Sequence, residues 1–148
     1  MYSKEYCPHI AEIDKNLFIG SQFSTHKKVL EDFCIDNVFF IGRKIKEKIS
    51  YVKYEYFDIE DNILCVDKIK EIGQKICKDI DILSENNKKV LICCQLGRNL
   101  SVVIIIMYLH HKYPNITYYD IIKKIKTVRN IGINIIFENY LLKNWNNL

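Results

Sequence analysis

The stretch that most constrains the fold begins as a β-branched apolar run, Val90-Leu91-Ile92, and closes on two adjacent cysteines, Cys93 and Cys94. It passes through Gln95-Leu96-Gly97-Arg98-Asn99-Leu100-Ser101 and opens at once into a second apolar run, Val102 to Leu109. A short apolar run, a glycine-containing break and a longer apolar run predict strand, loop and helix in immediate succession. Such a unit presents anions with backbone donors. The unpaired N–H groups of the first helical turn and the positive end of the helix dipole both face whatever sits over the loop. A cysteine at the loop's start is pushed by the same field towards the thiolate, its nucleophilic form.

On either side of this unit, strand and helix patterns alternate. Met1 to Glu12 carries little periodicity and reads as an irregular entry segment, after which Ile13 to Ser21 reads as a turn into a short strand ended by Gly20. Ser24 or Thr25 is expected to cap a helix through His26 to Phe33, with Val29, Leu30 and Phe33 on one face. Asn37 to Gly42 reads as a buried strand, and Tyr51 to Phe57 as a second whose Val52, Tyr54 and Tyr56 share a face. Ile69, Ile72, Ile76, Ile80 and Leu83 form an amphipathic stripe over Val66 to Ser84. The helix after the loop is apolar nearly all round, predicts burial and stops at Pro114. Thr117 and Asp120 have capping-box-like spacing ahead of a helix with Ile121, Ile122, Ile125 and Val128 inward. A last helix runs from about Asn134 to Trp145. The expected fold is a single α/β domain over residues 1–148, with a central twisted, mostly parallel sheet flanked by helices and Val90 to Cys93 as its central strand.

The loop resembles the phosphate-binding loop of the cysteine-based protein tyrosine phosphatases, and the short chain is similar to their dual-specificity branch. That family's pattern is His-Cys, five residues, then Arg and Ser or Thr. Against it, Cys94 falls on the nucleophile, Gly97 on the loop glycine and Ser101 on the hydroxyl, while Gln95 to Leu100 span the phosphate-binding segment. Two positions depart: Cys93 replaces the His, and Leu100 replaces the phosphate-clamping Arg. Ile13 to Gly20 is similar to the family's opening strand, and Asp61 falls where it carries its general acid. Arg129, Asn134 and Phe137 fit its closing Arg…Asn-x-x-Phe pattern without the usual Pro. Asn99-x-Ser101 is similar to the loop ending of poxvirus dual-specificity phosphatases.

The resemblance implies a two-step reaction. The thiolate attacks phosphorus as the P–O bond to the leaving group breaks, the Asp protonates that oxygen, and water then hydrolyses the cysteinyl-phosphate. Phosphoryl transfer needs mainly positioning and charge stabilisation. The Arg supplies both through its planar fork; Leu100 supplies neither. Cys93 offers only weak hydrogen bonding where His supports the thiolate. Several roles stay open. Cys94 reads as nucleophile or as a small residue at a strand end, and Cys93 as a packed thiol. Arg98 either folds back over the anion or sits on the rim, and Asp61 is a general acid or a turn former. Ser101 reads as a helix-terminal or catalytic hydroxyl, and Asn134 as a bond to the loop or a helix cap.

Composition narrows the class. A chain of 148 residues, 49% hydrophobic, is enough for one domain with a core. The net charge of +4 is scattered apart from Arg43 to Lys48, so neither nucleic acid nor membrane is expected as partner. Six cysteines without regular spacing suggest neither a disulfide framework nor a metal site, and no cofactor is expected. The apolar runs fall short of a bilayer span and no signal peptide is evident, which points to an intracellular, cytoplasmic protein. The lean on Ile, Lys and Asn suggests an AT-rich genome, such as that of a large DNA virus acting in a host cytoplasm. The leading expectation is a pseudophosphatase that binds or scaffolds a protein partner, phosphorylated or not, as monomer or dimer. A weak or specialised cysteine-dependent phosphatase is the alternative, and an anion-binding module a third reading.

Overall fold

The computed structural model describes residues 9–42, 51–59 and 66–148. Among them a five-stranded sheet has the order β1-β2-β5-β3-β4, formed by β1 (Ile10–Asp14), β2 (Leu17–Gly20), β3 (Asn37–Ile41), β4 (Lys53–Phe57) and β5 (Val90–Cys94). Only the β1–β2 pair is antiparallel; β2 and β3 run parallel to central β5, and β4 runs parallel to β3. The helices are α1 (Lys27–Asp32), α2 (Val66–Glu85), α3 (Leu100–Lys112), α4 (Tyr118–Lys126) and α5 (Ile135–Lys143). The mostly parallel α/β domain predicted from the alternating pattern is the fold observed.

Strand alternation sorts side chains onto two cores. Ile19, Phe39, Val90, Ile92 and Cys94 face the large cluster filled by α2, α3, α4 and α5. Phe18, Val38, Phe40, Leu91 and Cys93 face a smaller cluster closed by Val29 and Leu30 of α1. The two adjacent cysteines therefore lie on opposite faces of the sheet, as the period of two along a strand requires. From Leu100 to Leu109 every residue of α3 is buried, which is why that helix shows no polar face. Close packing of α2 on α3 explains a glycine inside α2: a Cβ at Gly73 would collide with the Met107 side chain.

Three local expectations are corrected. Ile10–Asp14 is a strand rather than irregular, because it borrows its order from the antiparallel register with β2, a long-range cause that periodicity does not reveal. Neither Ser24 nor Thr25 caps α1. Their hydroxyls turn back to the carbonyls of Ser21 and Gln22 at 2.5 and 2.6 Å, and the residues form a 3-10 turn, Gln22–Thr25, capped by Ser21. Val128 is 49% exposed rather than inward, because α4 ends at Lys126 before the helical spacing reaches it. Thr117 does cap α4, accepting from the Asp120 N–H at 3.1 Å.

Candidate active site

The sequence from Cys94 to Ser101 wraps the C-terminal end of β5 onto the start of α3. Around this loop, the carbonyls point outward and are all engaged. Gln95 O accepts from Gln22 N at 3.0 Å, and Arg98 O accepts from Gly132 N at 2.9 Å. Arg129 donates Nε to Gly97 O at 2.6 Å and Nη2 to Leu96 O at 3.0 Å. In a trans peptide the N–H points opposite to the preceding C=O. Carbonyls drawn outward at residues 95 to 98 therefore turn the amides of residues 96 to 99 towards the loop's interior, the arrangement of an anion nest.

Gly97 makes the turn possible. Its φ is +66°, and a Cβ there would collide with Arg129 and with the backbone of Gly20 at the end of β2. The loop is thus seated against the neighbouring strand. Asn99 completes the frame. Its side chain does not cap α3; instead Asn99 Oδ1 accepts the backbone N–H of Asn134 at 2.7 Å. The side chain of Asn134 in turn caps α5, accepting from Ile136 N at 2.8 Å.

Within the loop, Cys94 Sγ lies 3.1 Å from Ser101 Oγ and accepts from the Ser101 N–H at 3.4 Å. Both residues are buried, Cys94 at 4% exposure and Ser101 at 0%. The amide and hydroxyl of Ser101, the second residue of α3, thus converge on the sulfur. Cys93 is fully buried on the other face, and burial, with the neighbouring Cys94 adding to it, pushes its thiol well above the ordinary range. Leu100 packs into the large core cluster at 9% exposure, its side chain among apolar groups.

No protein-family model and no curated relative matches the sequence. Solved structures do match over nearly its whole length. The human tyrosine phosphatase-like serine/threonine/tyrosine-interacting protein is 20% identical with a TM-score of 0.75, over 94% of this chain and 97% of that one. DUSP15 is 16% identical with a TM-score of 0.81, over 93% and 88%. OH1 from the Orf virus, a tyrosine phosphatase, is 16% identical with a TM-score of 0.76, over 96% and 91%.

The chain has the dual-specificity phosphatase fold.

On that fold, the loop residues expected from the sequence, Cys94 to Ser101, come together as one unit. The side chain of Asn134 caps α5, while the bond to the loop is made by its backbone N–H, which any residue but proline could donate. Arg98 is exposed on the rim, its guanidinium beside Gly132. Asp61 and the basic cluster from Arg43 to Lys48 lie outside the described residues. Among the described residues no group of His, Cys, Asp or Glu is placed to hold a metal ion, and no helix is long and apolar enough to cross a membrane.

Two parts of the site escaped sequence reading. Arg129 was matched to a closing pattern, but nothing in its neighbourhood signals that it braces loop carbonyls some thirty residues earlier. Ser21, Phe23 and His9 border the loop from the end of the expected strand, the approach to the expected helix and the expected irregular entry segment; His9 Nδ1 lies 3.4 Å from Ser21 Oγ and its ring 5.1 Å from that of Phe23.

Proposed function

We propose that this chain is a catalytically impaired dual-specificity phosphatase-like protein that acts by binding or scaffolding a protein partner. The observation that carries the reading is the burial of Leu100 in the apolar core. At the position where the fold's catalytic members present a guanidinium fork to phosphate, this chain presents no charge, and its side chain is spent on packing. Removing one neutral transition-state donor costs about 10²–10³ in rate. Loss of a bidentate cation facing a dianion costs at least as much. The loop amides and the Cys94–Ser101 contact persist, so weak anion capture without efficient turnover is the behaviour this arrangement supports. Among the described residues Cys34, Cys77, Cys93 and Cys94 are free, which suits action in a reducing compartment.

Hydrolysis of a phosphotyrosine peptide tests the reading. The chain should fall at least a hundredfold below an ordinary dual-specificity phosphatase; a rate within tenfold would overturn it. The Leu100→Arg and Cys93→His double variant should recover measurable turnover. The second reading, a weak or specialised phosphatase, is favoured by the Ser101 N–H donated to Cys94 Sγ and the hydroxyl of Ser101 beside it. It requires residual activity that Cys94→Ser abolishes and Arg98→Ala strongly reduces.

A further inference from the structure

Beside the loop runs a groove of about 530 Å³, bounded by His9 and the 3-10 turn after β2, by Gln95, Leu96 and Arg98 of the loop, and by the connection after α4. Neither Cys94 nor Leu100 lines it. Two features mark it. Phe23, Leu96 and Val128 leave 56%, 62% and 49% of their surface exposed along it. Arg98 and Lys126 also line it, and neither forms an ion pair among the described residues. Arg129, bonded to the loop carbonyls, also lines it. Among the described residues no Asp or Glu lines the groove.

We propose that this groove docks an acidic peptide segment of a protein partner, with carboxylates or phosphates on Arg98 and Lys126 and an apolar side chain between Phe23, Leu96 and Val128. Charge complementarity chooses the sign of the occupant. Exposed apolar side chains interleaved with cations choose a peptide over a nucleic acid, whose phosphate-dominated binding needs a longer run of cations than this chain's scattered charge supplies. Because the thiol is not part of the groove, docking is separable from anything that happens at Cys94. The inference rests on the reading of the chain as a binding protein and adds the chemistry of what is bound.

The test is a fluorescence anisotropy titration of the full chain carrying Cys94→Ser, so that turnover cannot consume a phosphorylated probe. The probes are a fluorescein-labelled peptide of alternating glutamate and leucine, its phosphotyrosine-bearing form, its glutamine-for-glutamate form and a single-stranded RNA of matched charge. Saturable binding of the glutamate peptide is expected, weakened at least tenfold by Arg98→Glu with Lys126→Glu and several-fold by Phe23→Ser with Leu96→Ser. Tighter binding of the phosphorylated form would name phosphate as the preferred anion; equal binding would name carboxylate. Absence of saturable binding, equal affinity for the glutamine peptide, tighter binding of the RNA, or indifference to the charge reversal would each overturn the proposal. Circular dichroism checks the fold of the reversed chain; should it be lost, Arg98→Gln with Lys126→Gln serves the same comparison. The hydrolysis assay of the unsubstituted chain decides the impaired-enzyme reading separately, so failure of one leaves the other standing.

Discussion

Arg129 Nε donates to the Gly97 carbonyl at 2.6 Å, joining two residues 32 positions apart and fixing the outer face of the loop. With Nη2 on Leu96 O, the guanidinium holds two successive carbonyls, and those carbonyls set the direction of the amides behind them. Arg129→Ala should lower stability by about 1–3 kcal/mol in urea unfolding. Faster amide exchange should be confined to the loop and its flanks. Arg129→Lys, a point charge without the fork, should recover only part of the loss.

Asn99→Ala removes the acceptor of the Asn134 N–H, a bond between side chain and backbone that links the loop to the start of α5. A destabilisation of about 1–2 kcal/mol is expected, because a partly buried donor is left unpaired. Asn99→Asp keeps an acceptor oxygen and should retain most of the stability. Equal losses in the two variants would assign the effect to something other than this bond.

Gly97→Ala combines a positive φ with a collision against Arg129 and Gly20. Backbone strain at such a position costs about 1–3 kcal/mol, and the collision adds to it. The thermal midpoint should fall by more than for Gly132→Ala, where an added Cβ meets nothing closer than Arg98 Nη2 at 3.9 Å.

Leu100→Ala should behave as a core truncation, costing about 2–3 kcal/mol, in the lower part of the range for such sites because Leu100 borders the loop. A loss below about 0.5 kcal/mol, the level of ordinary surface substitutions, would contradict the packing of Leu100 in the core.

Asp14 ties the end of β1 to the far side of the domain. Its carboxylate accepts from Lys112 Nζ at 2.8 Å and from Tyr113 Oη at 3.0 and 3.2 Å, and Lys124 Nζ lies 3.5 Å away. Burial works to raise its titration point, but the bonds from Lys112 and Tyr113 and the two lysine charges together outweigh it and hold the carboxyl below its ordinary value of 3.8. A group depressed on folding contributes stability above its unfolded value and loses it as the pH falls through the folded one. Asp14→Asn should therefore cost about 1 kcal/mol at neutral pH, with the difference from the parent closing only below pH 3.8.

How legible the fold was depended on whether an element carries its own pattern. β5, α2 and α3 announce themselves, since an unbroken apolar run, a stripe at three and four and a helix apolar all round each have one stable burial. Ile10–Asp14 does not, because its order comes from pairing with Leu17–Gly20. Val128 misled because helical spacing continues on paper past the point where α4 stops. At the site, Cys94, Gly97 and Ser101 were legible because strand, loop and helix are contiguous in sequence. The bracing by Arg129 and the groove with Phe23 and Lys126 were not, since they join segments far apart along the chain.

By its sequence alone, this chain determined an α/β domain with an anion-facing loop between β5 and α3, and a leucine at the position expected to hold a cation. Local periodicity and the covalent order of residues suffice for that. Only the tertiary structure decided what the loop's neighbours do: Leu100 turned into the core, the carbonyls held outward by Arg129, Gln22 and Gly132, and Arg98 left on the rim of a separate groove. Those outcomes depend on packing and hydrogen bonds between distant segments, whose partners no local pattern encodes.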